Sequence, residues 1–199
     1  MNKINILSTI LLHDPKFHWE MKYVVFAFII YFSHCINNCR LHHRGGKIMD
    51  TGTHVVMGVA LGGLATLDPV VSSTPELTQA VMIGAIIGSQ APDFDTILKL
   101  KNNAAYLKNH RGITHSIPFL FIWPTLITFA LQFIFPYIPV VHLWLWTFLA
   151  VFIHVFVDIF NAYGTKALAP IKKKWIALGV INTFDPFIFG VHIVGIVFW

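Results

Sequence analysis

This sequence predicts an all-α, polytopic helical membrane protein with about four to five transmembrane segments after Met49, and two observations predict it. The first is composition. Of the 199 residues, 56% are hydrophobic and only 12% are charged, whereas a soluble domain carries about a quarter charged residues. Long apolar runs with so few charges belong to chains that live in a bilayer. The second is the placement of lysine and arginine. They alternate from one connecting loop to the next, as the positive-inside rule requires of successive spans.

Residues 23–36 form an apolar run of fourteen, short of the roughly twenty that cross a bilayer. Basic residues flank it on both sides and leave it without a clear orientation. "RGGKIM" at 44–49 can be encoded as AGA GGA GGT AAA ATT ATG, a ribosome-binding site ahead of a start codon. Residues 1–48 therefore read as a translated leader and Met49 as the true start. Cys35 and Cys39 give no disulfide framework, and "HCINNCRLHH" reads as an accidental imitation of a metal site.

From Met49 the chain organises itself. Residues 54–67 and 77–90 are apolar and rich in small residues, with Gly58, Gly62 and Gly63 offering a face for close helix packing. Both are short for spanning, so a tightly packed helical pair is expected. Residues 117–135 and 140–161 are stronger spans, separated by a turn at Pro136 and Pro139. The stretch 186–199 stops at Trp199 and is short for a span, so the expectation is a C-terminally truncated chain. Loops 68–76 and 136–139 hold no lysine or arginine. Loop 91–116 holds Lys99, Lys101, Lys108 and Arg111, and loop 162–183 holds Lys166 and Lys172 to Lys174. Those two loops, with Met49, are assigned to the cytoplasm.

The polar residues then meet on one side. His54 opens the first segment there. "APDFD" (91–95) and "HRGITHS" (110–116) lie in the first cytoplasmic loop, and His154 and Asp158 lie near the cytoplasmic end of the fourth segment. His154 and Asp158 are four apart, with Asn161 three later, spacings that line one helical face. An ionisable stripe inside an apolar helix is a functional signal by default, although a purely structural contact between helices is the plain alternative. Asp93 and Asp95 suit metal ligation, with helix capping ahead of "TILKL" as the alternative. His110 and His115 straddle Gly112 in a turn that leads into a helix. Arg111 can hold an anion or pair with an acid. Ser116 is positioned to cap the helix that follows. His142 and His192 are left aside as packed or interfacial histidines, and the tryptophans as interfacial aromatics.

Histidine and carboxylate together suit Zn²⁺, Mn²⁺ or Fe and disfavour a calcium cage. A catalytic metal of this kind lowers the pKa of water to about 7. The formal charge of +5 reflects topology; with no aromatic-interleaved basic patch, nucleic acid is not an expected partner. The lipid bilayer is.

"MDTGTHVVMGVALGG", "GSQAPDFD", "HRGITHS" and "HVFVDIFNAYGTKALAP", in that order, resemble the YdjM/DUF457 family, described as membrane-bound metal-dependent hydrolases. With "KKKWIALGVINTFDPFIFG" the likeness is to its YfhP-like branch, and it covers residues 49–199. The resemblance implies a multi-pass protein of the bacterial plasma membrane. It singles out His54, Asp93, Asp95, His110, His115, His154 and Asp158 as metal-site residues. The expected function is then metal-dependent hydrolysis, with a divalent ion (zinc first) as cofactor and a phosphoester or lipid-derived substrate. Asp95, Asp158 and Arg111 are the expected catalytic residues. Two rivals stand beside this reading: a transporter that uses the His–Asp stripe as a relay, and a non-catalytic membrane regulator.

Overall fold

The computed structural model describes residues 49–94, 111–161, 164–172, 174–179, 189–190 and 193–194. Four α-helices run through them: α1 (Met49–Leu64), α2 (Pro75–Gly88), α3 (Ile117–Ile134) and α4 (Val140–Phe160). Beyond helices and short 3-10 turns, the described residues include an isolated antiparallel bridge between Thr165 and Ile176. The apolar runs at 23–36 and, but for its helical fragments at 189–190 and 193–194, at 186–199 lie outside the described residues, as does the proposed leader.

Local chemistry sets the helix boundaries. α2 starts where Thr74 accepts a hydrogen bond from the Leu77 N–H and Pro75 takes the first helical position, where its missing N–H costs nothing. Prolines also open α3 (Pro118) and precede α4 (Pro139). The expected Ser116 cap is not made. Ser116 stands at the N-cap of α3, but its hydroxyl turns back to the Ile113 carbonyl, which closes the 3-10 turn Ile113–His115 instead.

With 18 and 21 residues, α3 and α4 are long and apolar enough to cross a membrane. At 1.5 Å per residue they reach about 27 and 32 Å, close to the hydrocarbon thickness of about 30 Å. α1 and α2, with 16 and 14 residues, are apolar but shorter. α2 packs against all three others, and α4 packs against all three others. Leu77, Val81, Leu131 and Leu143 fill one core cluster, and Met57, Leu61, Ala85 and Ala150 a second. The outward surface is apolar as well. Phe121, Phe129, Phe133 and Phe152 are exposed, and Trp144, Phe148, Phe152 and Phe156 stack at four-residue spacing along α4. Polar side chains face inward instead: Thr147, His154 and Asp158 are buried on α4. So large an apolar exterior marks a surface made for lipid or a partner.

Glycine makes the α1–α2 approach. A Cβ on Gly58 would lie 2.9 Å from the Ile86 Cα and 3.0 Å from the Ala85 carbonyl oxygen, both backbone atoms that cannot yield. At the end of the bundle away from His154 and Asp158, Asp68 follows α1 and holds the start of α4. His142 Nδ1 is 2.7 Å from Asp68 Oδ2, Trp146 donates to the same oxygen at 3.3 Å, and the Val70 N–H donates to Oδ1 at 3.0 Å. Burial alone would raise the Asp68 pKa. The hydrogen bonds from His142, Val70 and Trp146 outweigh it and hold the carboxyl below its usual range.

Two outcomes follow. Gly58→Ala forces α1 away from α2 and is expected to destabilise by about 1–3 kcal/mol, the usual range for overpacking, read as a lowered Tm in detergent. A carboxyl whose folded pKa is depressed stabilises fully above its unfolded value, about 3.9, and loses that contribution as pH falls through the folded value. Stability is therefore expected to drop below about pH 4, and Asp68→Asn is expected to flatten that acid limb of a Tm-against-pH series.

Candidate metal centre

The alternating run of the helices brings four ends together: the N-terminal part of α1, the C-termini of α2 and α4, and the N-terminus of α3. Asp158 sits two residues before the end of α4 and is fully buried, and His154 lies one turn earlier, equally buried. The 3-10 turn before α3 supplies His115, and the 91–94 turn after α2 supplies Asp93.

One donor atom from each of Asp93, His115, His154 and Asp158 lies within 4.8 Å of all the others. His115 Nε2 is 3.1 Å from Asp158 Oδ2, 3.3 Å from His154 Nε2 and 3.6 Å from Asp93 Oδ1. His154 Nε2 is 3.5 Å from Asp158 Oδ2 and 3.8 Å from Asp93 Oδ1. Ligands about 2.0–2.1 Å from a tetrahedral ion stand about 3.3 Å apart. The observed spacings bracket that value, so the four residues fit a divalent ion.

The hydrogen bonds around the ligands agree. His154 Nδ1 is 2.6 Å from the Ser89 carbonyl oxygen, which can only accept. The Nδ1 proton is thereby fixed, and the Nε2 lone pair faces the cluster. His115 Nδ1 is 3.0 Å from the Thr114 hydroxyl, and the Thr114 carbonyl is held by Trp123 Nε1 at 3.2 Å. Burial pushes the His115 imidazole below its ordinary pKa, against the opposing pull of Asp158, and so favours the neutral form that binds metal. Asp93 Oδ1 is buried yet has no hydrogen-bond partner among the described residues. A buried carboxylate oxygen in that position is costly unless a cation meets it.

The remaining predicted residues divide. His54 is 1% exposed; its ring stacks on His154 at 3.9 Å and its Nε2 is 3.6 Å from Asp158 Oδ1. It approaches Oδ1, whereas His115 and His154 approach Oδ2. Arg111 also approaches Oδ1, with Nη2 at 3.3 Å. Of the two roles read for Arg111, acid pairing is the one this contact makes. Asp95 and His110 lie outside the described residues. Asn161 is the C-cap of α4 with extended backbone, so it ends the stripe instead of continuing it. Between the two ends, α4 buries Leu143, Thr147, Ala150 and Val151, and the Thr147 hydroxyl is spent on the Leu143 carbonyl. Among these α4 residues no ionisable relay continues towards His142.

No role was read from the sequence for Ser89 or Thr114. Ser89 acts through its backbone carbonyl, for which side-chain identity gives no signal. Thr114 did carry one, a hydroxyl directly beside a ligand histidine.

A family model described as YdjM inner membrane protein matches residues 49–199. A curated relative, "Uncharacterized protein YfhP" of Bacillus subtilis (strain 168), is 64% identical over 151 residues, which are 76% of this chain and 46% of the relative. The chain thus spans about half the length of that relative. No solved structure matches. With its match running from Met49 through all four helices and every member of the His/Asp cluster, the chain belongs to the YdjM family of inner membrane proteins.

Proposed function

We propose that this is a multi-pass membrane hydrolase that depends on a divalent metal and cleaves a phosphoester or lipid-derived substrate at the cytoplasmic face, with residues 49–199 as the working domain. The observation that carries it is the convergence of Asp93, His115, His154 and Asp158, all within 4.8 Å, at one end of an otherwise apolar bundle. Asp93 is 13% exposed while the other three are at most 1% exposed. The Asp93 side is therefore the approach for water and substrate.

Two histidines and two carboxylates suit zinc first, with manganese or iron as alternatives. A divalent ion bound there supplies Lewis acidity and a water acidified to a pKa of about 7. The protein's own groups do the rest. Asp158 offers Oδ2 to the cluster while Arg111 and His54 hold Oδ1, which fixes the carboxylate plane. His54, outside the four donors but against Asp158, is placed to take or return a proton. Arg111, buried beside Asp158, offers a guanidinium whose charge favours an anionic group entering the site. Asp95 is proposed as a second acid of the same loop. The relay that a transporter would need finds no support along the middle of α4.

Elemental mass spectrometry on the full chain purified in detergent is expected to find a stoichiometric divalent metal. His154→Ala should lose it. Thr114→Val should bind it about 10–100-fold more weakly, the usual effect of removing a group that orients a ligand histidine. Metal content unchanged in His154→Ala would remove the site. Across a panel of phosphomonoesters, phosphodiesters and phospholipids, turnover is expected only with metal present, and Asp158→Asn should lower it about a hundred-fold or more. Normal turnover in that variant would sink the hydrolase reading. Stoichiometric metal with no turnover on the panel would favour a regulator.

A further inference from the structure

The segment that follows α4 is tied down at its base and open at its tip. Thr165 and Ile176 exchange both backbone hydrogen bonds at 2.9 Å, and the Leu178 N–H returns to the Ile159 carbonyl of α4 at 2.9 Å. The Ala169 carbonyl accepts from the Ile117 N–H at the start of α3. The Arg111 carbonyl accepts twice, from the Lys166 N–H and from the Thr165 hydroxyl, each at 3.1 Å. Gly164 makes the bridge feasible: its φ is +64°, and a Cβ there would collide with the Ile176 carbonyl oxygen. This strap is thus fixed to the ends of α3 and α4 and to the residue that pairs with Asp158.

Its outer side is unlike a soluble loop. Leu168, Ile171, Trp175 and Leu178 are 39%, 78%, 44% and 54% exposed. Lys172 and Lys174 are exposed among them, and the Lys166 ammonium lies 5.3 Å from the Trp175 ring centroid. Large apolar side chains interleaved with lysines, beginning within a few residues of a helix long enough to span, form the surface that settles at a headgroup layer. Tryptophan prefers that depth, and each lysine near an anionic leaflet contributes about 1 kcal/mol.

We propose that the strap of residues 164–172 and 174–179 is an interfacial element that binds anionic phospholipid headgroups of the leaflet at the metal-centre end. Charge complementarity and continuity with α4 select this occupant. The proposal rests on the membrane placement of α3 and α4 and not on the metal or the hydrolase reading.

The test uses the full chain in detergent with a chelator present, so that metal plays no part. Short-chain dihexanoyl phosphatidylglycerol and dihexanoyl phosphatidylcholine are titrated separately and binding is followed by thermophoresis. The phosphatidylglycerol is expected to bind more tightly, and less tightly as salt rises. Lys172→Gln and Lys174→Gln should each weaken it about five-fold, the equivalent of about 1 kcal/mol per lysine, while leaving phosphatidylcholine unchanged. Ile171→Ala should weaken both lipids. Both lysines are exposed, and an unchanged circular dichroism spectrum and Tm would show the variants folded; either lysine variant suffices if the other is poorly behaved. Equal affinity for the two lipids, or an unchanged affinity in the lysine variants, would overturn the proposal. So would displacement of the phosphatidylglycerol by equimolar inorganic phosphate, which would mark a free-anion site. Because the chelator removes metal from every arm, failure here leaves the hydrolase reading standing, and the converse also holds.

Discussion

The buried carboxylate of Asp158 is the constraint on which the rest of this molecule turns. An apolar helix ends in an acid that is 1% exposed, and an isolated charge in such a place is not tolerated. Every neighbouring element answers it. His54 comes from α1, His154 from the previous turn of α4, His115 and Arg111 from the loop before α3. Removing one partner of a buried charge pair typically costs about 3–5 kcal/mol, because the other is left uncompensated. Asp158 thus ties α1 and the turn before α3 to the end of α4.

Packing has to bring those ends within reach, and small residues do that. Between helices in lipid there is little hydrophobic drive, so close van der Waals contact and internal hydrogen bonds carry the association. Gly58 lets α1 lie against the α2 backbone, and Gly88 does the same for α2 against α4, where a Cβ would stand 3.0 Å from the Thr147 carbonyl oxygen. Close approach at Gly88 sets the next residue, Ser89, so that its carbonyl meets His154. One glycine thus links helix spacing to the tautomer of a ligand. The far end is pinned separately by Asp68 and His142.

How much of this was legible in the sequence depended on whether side chains or backbone carried the information. The apolar helices, the Pro136–Pro139 turn and the gathering of His54, Asp93, His115, His154 and Asp158 at one end of the bundle follow from composition, periodicity and charge alternation, all properties of side chains. The division of that set was not legible. Spacing says that His54 and His115 reach one face, but only three-dimensional geometry shows that His115 meets the Oδ2 side of Asp158 and His54 the Oδ1 side. Ser116 misled for a related reason. A serine ahead of a helix can cap it or close the preceding turn, and local sequence does not choose between them. The Asp68–His142 pair joins residues 74 positions apart, beyond any periodic signal, and His142 alone read as a packed histidine.

A charge count then narrows what the centre can hold. Asp93 and Asp158 bring two negative charges and Arg111 one positive, and with neutral imidazoles the cluster carries a net −1 in a nearly dry enclosure. A monovalent inhabitant such as a proton would neutralise it, but it would satisfy only one of the donor pairs, and the two Nε2 atoms 3.3 Å apart would still face each other. A divalent cation meets all four donors at once and leaves a net +1, the charge that draws in an anion. That count already includes Arg111, whose backbone has φ 60° and whose carbonyl accepts from Thr165 and Lys166. One residue therefore joins two parts of the molecule: the Arg111 side chain pairs with Asp158, and its carbonyl accepts from Lys166 and Thr165 of the segment after α4.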